Sequence, residues 1–321
     1  MPVAEPESSV ATEFASDVHA GLSKPGQKEL DSKYLYDELG SALFEAITRL
    51  PEYGLTRADE RILGRHAGEI GNLFASGTRI AELGSGSGAK TRLILEAFRR
   101  PAYHPIDISK AALDWCRREL SAVAEVDAIE GSYLAGLGRV AEKRQSGERL
   151  LVLFLGSNIG NFSRREAVLF LTDLRQALEE GDALLIGADM VKPAAQLLAA
   201  YDDPTGVTAA FNKNILGRIN RELGGHFDLL RFAHEVRWEP EARRVEMHLR
   251  SGLEQTVGIP GAGLDCFFSN GETIWTESSY KYTIEDLAEM AAASGFEPLE
   301  CWRDAAWPFT ESLWVARPGS E

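Results

Sequence analysis

Three stretches of the sequence carry residues whose types and spacing can do chemistry. The first is "GSGSGAKT", residues 84–91. Gly84, Gly86 and Ala89 fit the dinucleotide fingerprint G-x-G-x-x-A, and the run departs from the P-loop G-x-x-x-x-G-K-T only by having Ala89 at the second glycine. A methyl group there obstructs the backbone amides that wrap a phosphate, and no later Asp stands in a magnesium-binding context. A triphosphate is disfavoured. Asp107, at the end of the next apolar run, stands where a ribose is held, which suits a dinucleotide and any other ribose-bearing ligand equally. Glu82 separates the two, because a carboxylate two residues before the glycines repels a pyrophosphate and favours a cationic ligand. Glycines that only make a tight strand-to-helix turn are the remaining reading.

The second stretch is "FLGSNIGNF", residues 154–162. Glycine, serine and asparagine directly after an apolar strand suit the wall of a polar pocket, with Asn161 offering both a donor and an acceptor; turn chemistry ahead of the next helix explains the same residues. The third is "TIWTESSYKYT", residues 273–283, which alternates as a strand does. Glu277, Ser279 and Lys281 then share one face, opposite Thr276, Ser278 and Tyr280. A glutamate and a serine two apart on a strand can bond the two nitrogens of an imidazole or one ammonium group; an exposed strand face also carries such residues routinely.

The elements that must position these residues alternate between strand and helix. Short apolar runs predict buried parallel strands at 78–83, 102–106, 126–130, 150–155 and 183–188. A helix is expected over 58–74, with Ile62, Leu63, His66, Ile70 and Leu73 on one face and Thr56 as N-cap. Another follows Ser163, where "SRRE" forms a capping box with Glu166. This alternation implies an α/β doubly wound sheet with its ligand at the carboxyl ends of the strands. After Asp189 the rhythm changes to helical patterning over 193–223 and an antiparallel stretch built on "AHEVRW" and "RRVEMHLRS". Helix and strand return at 284–294, 299–303 and 313–316. The expected division is a sheet domain of 58–191 plus 282–317 and a second, α+β domain of 14–57 plus 192–281.

With 321 residues, 44% of them hydrophobic, the chain can bury a large core. Its net charge of −15, without clustered Lys and Arg, argues against a nucleic-acid partner. Cys116, Cys266 and Cys301 lack C-x-x-C spacing, so they read as buried or neutral thiols, with neither a disulfide framework nor a metal site. The acidic "MPVAEPESSVATE" reads as a short tail and lacks the features of a secretory signal; no run is long enough to span a membrane. A cytoplasmic protein acting as a monomer on a small molecule is expected.

With Glu82 in front, "ELGSGSG" looks like the first loop of an S-adenosylmethionine methyltransferase. Taken with "RLPEYGLTRADE", "FLGSNIGNF", "AYDDPTGVTAAFNKN", "NRELGGHFDL", "VEMHLRS" and "TESSYKY", the sequence resembles the L-histidine Nα-methyltransferases of ergothioneine biosynthesis, from about Tyr34 to Arg317. The resemblance implies a class I (Rossmann-like) methyltransferase sheet with an inserted substrate domain. It implies trimethylation of L-histidine to hercynine with S-adenosyl-L-methionine as co-substrate and no metal; a related enzyme acting on a tryptophan derivative is the alternative. Cofactor contacts are implied at Gly84, Lys90, Asp107, Ser132 and Tyr133, and substrate contacts at Tyr53, Asn161, Tyr201, Met247, Glu277, Ser278 and Ser279. Tyr36 and Tyr53 would surround the reacting amine, Asn161 and Tyr201 hold the carboxylate, and Glu277 with Ser279 read the imidazole. Two departures stand out. Ser132 replaces the family's usual aspartate, and Gly54 with Leu55 replace an aromatic residue and a proline, which implies a looser entrance loop.

Overall fold

The computed structural model of the protein describes residues 7–74, 77–86 and 88–318. Ser87 of the glycine loop and the first six residues of the N-terminal tail lie outside them; the rest of the expected tail begins a helix, Glu7–Leu22. The chain divides into two compact units: residues up to Tyr53 with Pro193–Ser279, and Gly54–Lys192 with the residues from Tyr280 onward.

The second unit is built on an eight-stranded sheet whose chain order starts near its centre. Arg79–Leu83 pairs in parallel with Ala102–Asp107 on one side and Leu150–Phe154 on the other. Ala183–Asp189 continues the parallel run beyond Leu150–Phe154. Phe309–Ala316 then pairs antiparallel with Ala183–Asp189, and Phe296–Arg303 antiparallel with Phe309–Ala316. The strand order therefore reverses beside Arg79–Leu83, which makes the carboxyl ends of Arg79–Leu83 and Leu150–Phe154 the place where a doubly wound sheet receives its ligand. Both Leu150–Phe154 and Ala183–Asp189 are buried at every residue, which is why they read as unbroken apolar runs rather than alternating ones.

Local chemistry sets the element ends. Ser163 and Glu166 form the expected capping box, the serine Oγ accepting from Glu166 N at 3.3 Å and the carboxylate accepting from Ser163 N at 2.9 Å. The helix expected over 58–74 instead spans Leu55–Asn72, with Gly54 at its N-cap and Thr56 inside its first turn. Gly54 is fixed there by packing: a Cβ on it would lie 2.1 Å from Cε3 of Trp307. The indole occupies the room that the sequence suggested was loose, and Gly54–Arg57 accordingly belong to the sheet unit. The strand expected over 126–130 is two short pieces, Glu125–Val126 and Ile129–Glu130, parallel to Ala102–Asp107 and interrupted where the Asp127 carboxylate turns to His104 and Lys143.

The first unit holds a four-stranded sheet in the order Lys28–Glu29, Thr273–Tyr280, Arg244–Ser251, Phe232–Glu239. The last two pair antiparallel, as "AHEVRW" and "RRVEMHLRS" predict. The helical patterning of 193–223 resolves into Ala194–Tyr201 and Val207–Leu223. The break is chemical: Asp203 accepts from the amides of Thr208 at 2.8 Å and Val207 at 3.2 Å, and Gly206 takes φ 78°. Cys116 and Cys266 are buried, whereas Cys301 is exposed. Among the described residues no helix is long and apolar enough to cross a membrane.

Candidate functional site

In the sheet unit, three loops at strand carboxyl ends carry the expected cofactor residues. Gly84 follows Arg79–Leu83 with φ 75°, its amide donating to Ile106 O at 2.9 Å. A Cβ there would stand 2.8 Å from the Tyr133 hydroxyl and 3.0 Å from Asn158 Nδ2, so both backbone and neighbours require glycine. At Gly86 and Gly131 the space a Cβ would fill is open, and both have positive φ. Asp107 ends its strand half-buried, accepting from Ser109 N at 2.8 Å with the Gly86 and Ile108 amides beside it. Burial pushes its carboxyl up, while those amides favour the charged form. An open glycine cradle flanked by a carboxylate and a tyrosine hydroxyl fits a ribose-bearing ligand.

Tyr133 packs edge-on against Phe154 and Phe170, with ring centres 5.8 and 6.1 Å away, and burial pushes its hydroxyl up to about 12, so it stays protonated. Ser132, at the N-cap of Tyr133–Glu142, is exposed and makes no side-chain cap bond. Lys90 is turned inward, Nζ donating to Asp59 Oδ2 at 2.6 Å. Burial works against its charge, but Asp59 outweighs it and holds the ammonium above its ordinary value. Glu82 differs from its expected part. Its carboxylate is buried and accepts from Thr91 Oγ1 at 2.8 Å and from the Tyr103 hydroxyl, so it ties the start of the next helix to the neighbouring strand and does not face a ligand cation. Burial pushes it up to about 7 against those two bonds.

The loop after Leu150–Phe154 is anchored at both ends of a single helical turn, Asn158–Asn161. Ser157, at φ 61°, accepts from Asp189 N at 2.9 Å, and the Tyr282 hydroxyl donates to Ile159 O at 3.0 Å. Asn158 points to Gly84 and Tyr133, whereas Asn161 ends the turn exposed. Lys281, expected on the face of Glu277 and Ser279, is instead buried against Asp189 at 3.0 Å, beside Lys192 and the Trp307 indole N–H. Burial brings Lys192 down to about 8.

The first unit gathers the expected imidazole readers among aromatic rings. Tyr201 donates to Ser279 Oγ at 2.7 Å, and Tyr36 donates to Glu277 Oε1 at 3.4 Å. Tyr36 lies 5.4 Å from Phe211 and 5.5 Å from Phe44, and Tyr53 lies 6.3 Å from both Phe44 and Tyr201, so five rings join edge to edge. Strand alternation places Ser278 on the opposite face from its two neighbours. Met247 is buried, and its carbonyl accepts from Thr276 Oγ1 at 3.0 Å.

A supporting layer escaped the sequence reading. Asn212 accepts from Thr276 at 2.6 Å and donates to His248 O at 3.1 Å, while its amide also reaches His234 Nδ1 at 2.9 Å. His234 Nε2 lies 2.9 Å from Tyr201 O, so the ring is neutral, accepting at Nδ1 and donating at Nε2; burial lowers its pKa in keeping with that. This chain of bonds links the strand of Glu277 and Ser279 to the helix end that carries Tyr201. Asn158, Asp59 and Glu311 in the sheet unit were likewise missed.

Residues 14–316 match the family described as histidine-specific methyltransferase, SAM-dependent. The chain is 40% identical over 305 residues to the histidine N-alpha-methyltransferase of Mycobacterium tuberculosis, covering 92% of this chain and 93% of that protein. It is 30% identical over 288 residues to ergothioneine biosynthesis protein 1 of Neurospora crassa, covering 87% of this chain and 32% of that longer protein. An L-tryptophan methyltransferase of Psilocybe serbica is 28% identical over 316 residues, covering 88% of this chain and 87% of that protein.

Proposed function

We infer histidine Nα-methylation from one premise: the chain belongs to the family of histidine-specific, S-adenosylmethionine-dependent methyltransferases. The activity is successive methylation of the α-amino group of L-histidine to hercynine, the first step of ergothioneine biosynthesis. The observation that carries the choice of substrate is the pairing of Glu277 with Ser279 beside five joined rings. Glu277 is an acceptor for one imidazole N–H. Ser279, whose oxygen accepts from Tyr201, is a hydroxyl rotor that can donate to or accept from the other nitrogen. An indole offers only one N–H and no acceptor, so it matches this pair less well than an imidazole does.

When bound, S-adenosylmethionine supplies an electrophilic methyl group on a sulfonium. Gly84, Asp107, Ser132 and Tyr133 would hold it, with Asp107 accepting from ribose hydroxyls, while Lys90, paired with Asp59, would brace the loop from beneath. The chain's remaining task is alignment and an unprotonated amine. Asn161 holds the substrate carboxylate, while Tyr201 stays with Ser279. Tyr36, which gives its proton to Glu277, is the acceptor for the amine; Tyr53 completes that wall, and Met247 fills the space behind the strand. In each transfer the nitrogen lone pair forms the N–C bond as the S–C bond breaks, and an N–H proton is lost to water before the next. The aromatic faces favour the nitrogen increasingly as it becomes a quaternary cation.

Mass spectrometry of histidine, dimethylhistidine and tryptophan incubated separately with enzyme and S-adenosylmethionine tests this. Trimethylhistidine from the first two is expected. Methylation of tryptophan in preference to histidine would transfer the reading to the indole alternative.

A further inference from the structure

Beneath the loops assigned to the methyl donor lies a buried acidic pair that the proposed reaction does not use. Asp59, on the helix Leu55–Asn72, and Glu311, on the strand Phe309–Ala316, are both fully buried and face one another. Asp59 Oδ2 accepts from Lys90 Nζ at 2.6 Å and from Gly156 N at 3.1 Å. Asp59 Oδ1 and both Glu311 oxygens find no hydrogen-bond donor among the described residues. Room for the cluster is built into the backbone: a Cβ on Gly187 would lie 2.5 Å from Glu311 Oε1, and one on Gly156 2.8 Å from Lys90 Nζ. Two ionised carboxylates against one ammonium would leave an uncompensated charge in a site without water-like screening, whereas one proton between them supplies the missing donor and makes the trio neutral.

We propose that Asp59 and Glu311 share a single proton and act together as positioning residues, fixing Lys90 and Gly156 and through them the two loops that hold the methyl donor. The inference rests on the reading of those loops as the S-adenosylmethionine site. The charged and titratable groups around Glu311 are Asp59 from the helix, Lys90 from the glycine loop and Cys301 from the strand Phe296–Arg303; Glu82 acts on Lys90 from the central strand. Burial, with Asp59 adding to it, raises Glu311 far above the usual carboxylate range. The folded chain therefore keeps a proton that the unfolded chain has lost above about pH 4.3, and stability falls as pH rises toward the folded value.

The test uses the full chain with Glu311→Gln and Glu311→Ala, reading calorimetric affinity for S-adenosylhomocysteine and thermal midpoint against pH. Glutamine carries an uncharged donor in the place of the protonated carboxyl. It should keep affinity within about twofold, flatten the decline of the midpoint above about pH 5, and raise the midpoint at pH 8. Alanine should weaken affinity about tenfold or more, because Asp59 Oδ1 loses its donor. Glutamine that weakens binding and lowers the midpoint at pH 8 would show an ionised Glu311 paired with Lys90, and would overturn the proposal; so would alanine without effect on affinity. Histidine is absent from both measurements, so an error in the substrate reading registers separately. Wild-type protein that fails to bind S-adenosylhomocysteine at all would remove the reading of the loops, while the midpoint curves still decide the shared proton.

Discussion

The bond between Tyr201 and Ser279 makes a quantitative prediction about how histidine is selected. At 2.7 Å it is a well-formed hydroxyl–hydroxyl bond in a buried place, and it fixes the serine oxygen on the strand face that also carries Glu277. Tyr201→Phe removes the bond and frees the serine rotor, at the cost of a neutral hydrogen bond, about 0.5–1.5 kcal/mol or roughly 2- to 12-fold in kcat/KM. Ser279→Ala does more, removing the partner of an imidazole nitrogen together with the Tyr201 bond, at about 1–3 kcal/mol or roughly 5- to 150-fold. Because the two changes delete one shared bond, the double variant should fall short of their sum by about 0.5–1.5 kcal/mol. The assay is kcat/KM for histidine in all four proteins, with S-adenosylhomocysteine affinity by calorimetry as a control expected to stay unchanged. Additive losses would mean that Tyr201 reaches the substrate independently. No loss on Ser279→Ala would mean that the imidazole is read elsewhere.

Three further outcomes follow from the same geometry. Asp107→Ala should weaken S-adenosylmethionine by about 1.5–3 kcal/mol through lost charged hydrogen bonds, and in the wild type that affinity should decline as pH falls through the raised Asp107 value, when the acceptor is protonated; calorimetry at several pH values measures both. Glu82, pushed by burial up to about 7, keeps its proton in the folded chain where the unfolded chain has lost it, so stability should decline from about pH 4.5 to 7, and Glu82→Gln should flatten that part of a thermal-midpoint curve. Gly54→Phe, which restores the family's aromatic residue, should cost about 1–3 kcal/mol in urea unfolding because its Cβ meets Trp307, and a smaller residue at 307 should relieve much of that cost.

Legibility in the sequence followed sequence distance. Glu277 and Ser279 could be paired from the text alone because strand alternation is a local rule, and Ser163 with Glu166 for the same reason. The glycine spacing within eight residues marked a nucleoside-type ligand loop, and the motifs that resemble the family, spread over the chain, named the methyl donor. Glu82 was read as facing a ligand cation because nothing nearby announced that the hydroxyls of Thr91 and Tyr103 would take its carboxylate; one of them arrives from the neighbouring strand. Asp59 reads locally as a polar residue early in a helix, and Glu311 as the middle of the three polar residues in "FTESLW". Only the sheet's closure by the last strands brings them together. Gly54 had the same fate: its departure from the family pattern looked like looseness until Trp307, more than two hundred residues away, was seen to fill the gap.

The antiparallel edge of the sheet also bears on how the chain is made. Ala183–Asp189 is buried at every residue, and synthesis delivers its parallel neighbour Leu150–Phe154 first. Its other neighbour, Phe309–Ala316, follows only roughly 120 residues later, a long wait for a contact of high sequence separation. At about 5–20 residues per second, a ribosome leaves this apolar strand with one unpaired side for roughly 6–24 seconds. During that interval its free backbone groups are a template for any other extended segment. The nascent chain is thus most exposed to mispairing while the inserted residues 193–279 are being made, and the final strands serve as the seal that ends that exposure.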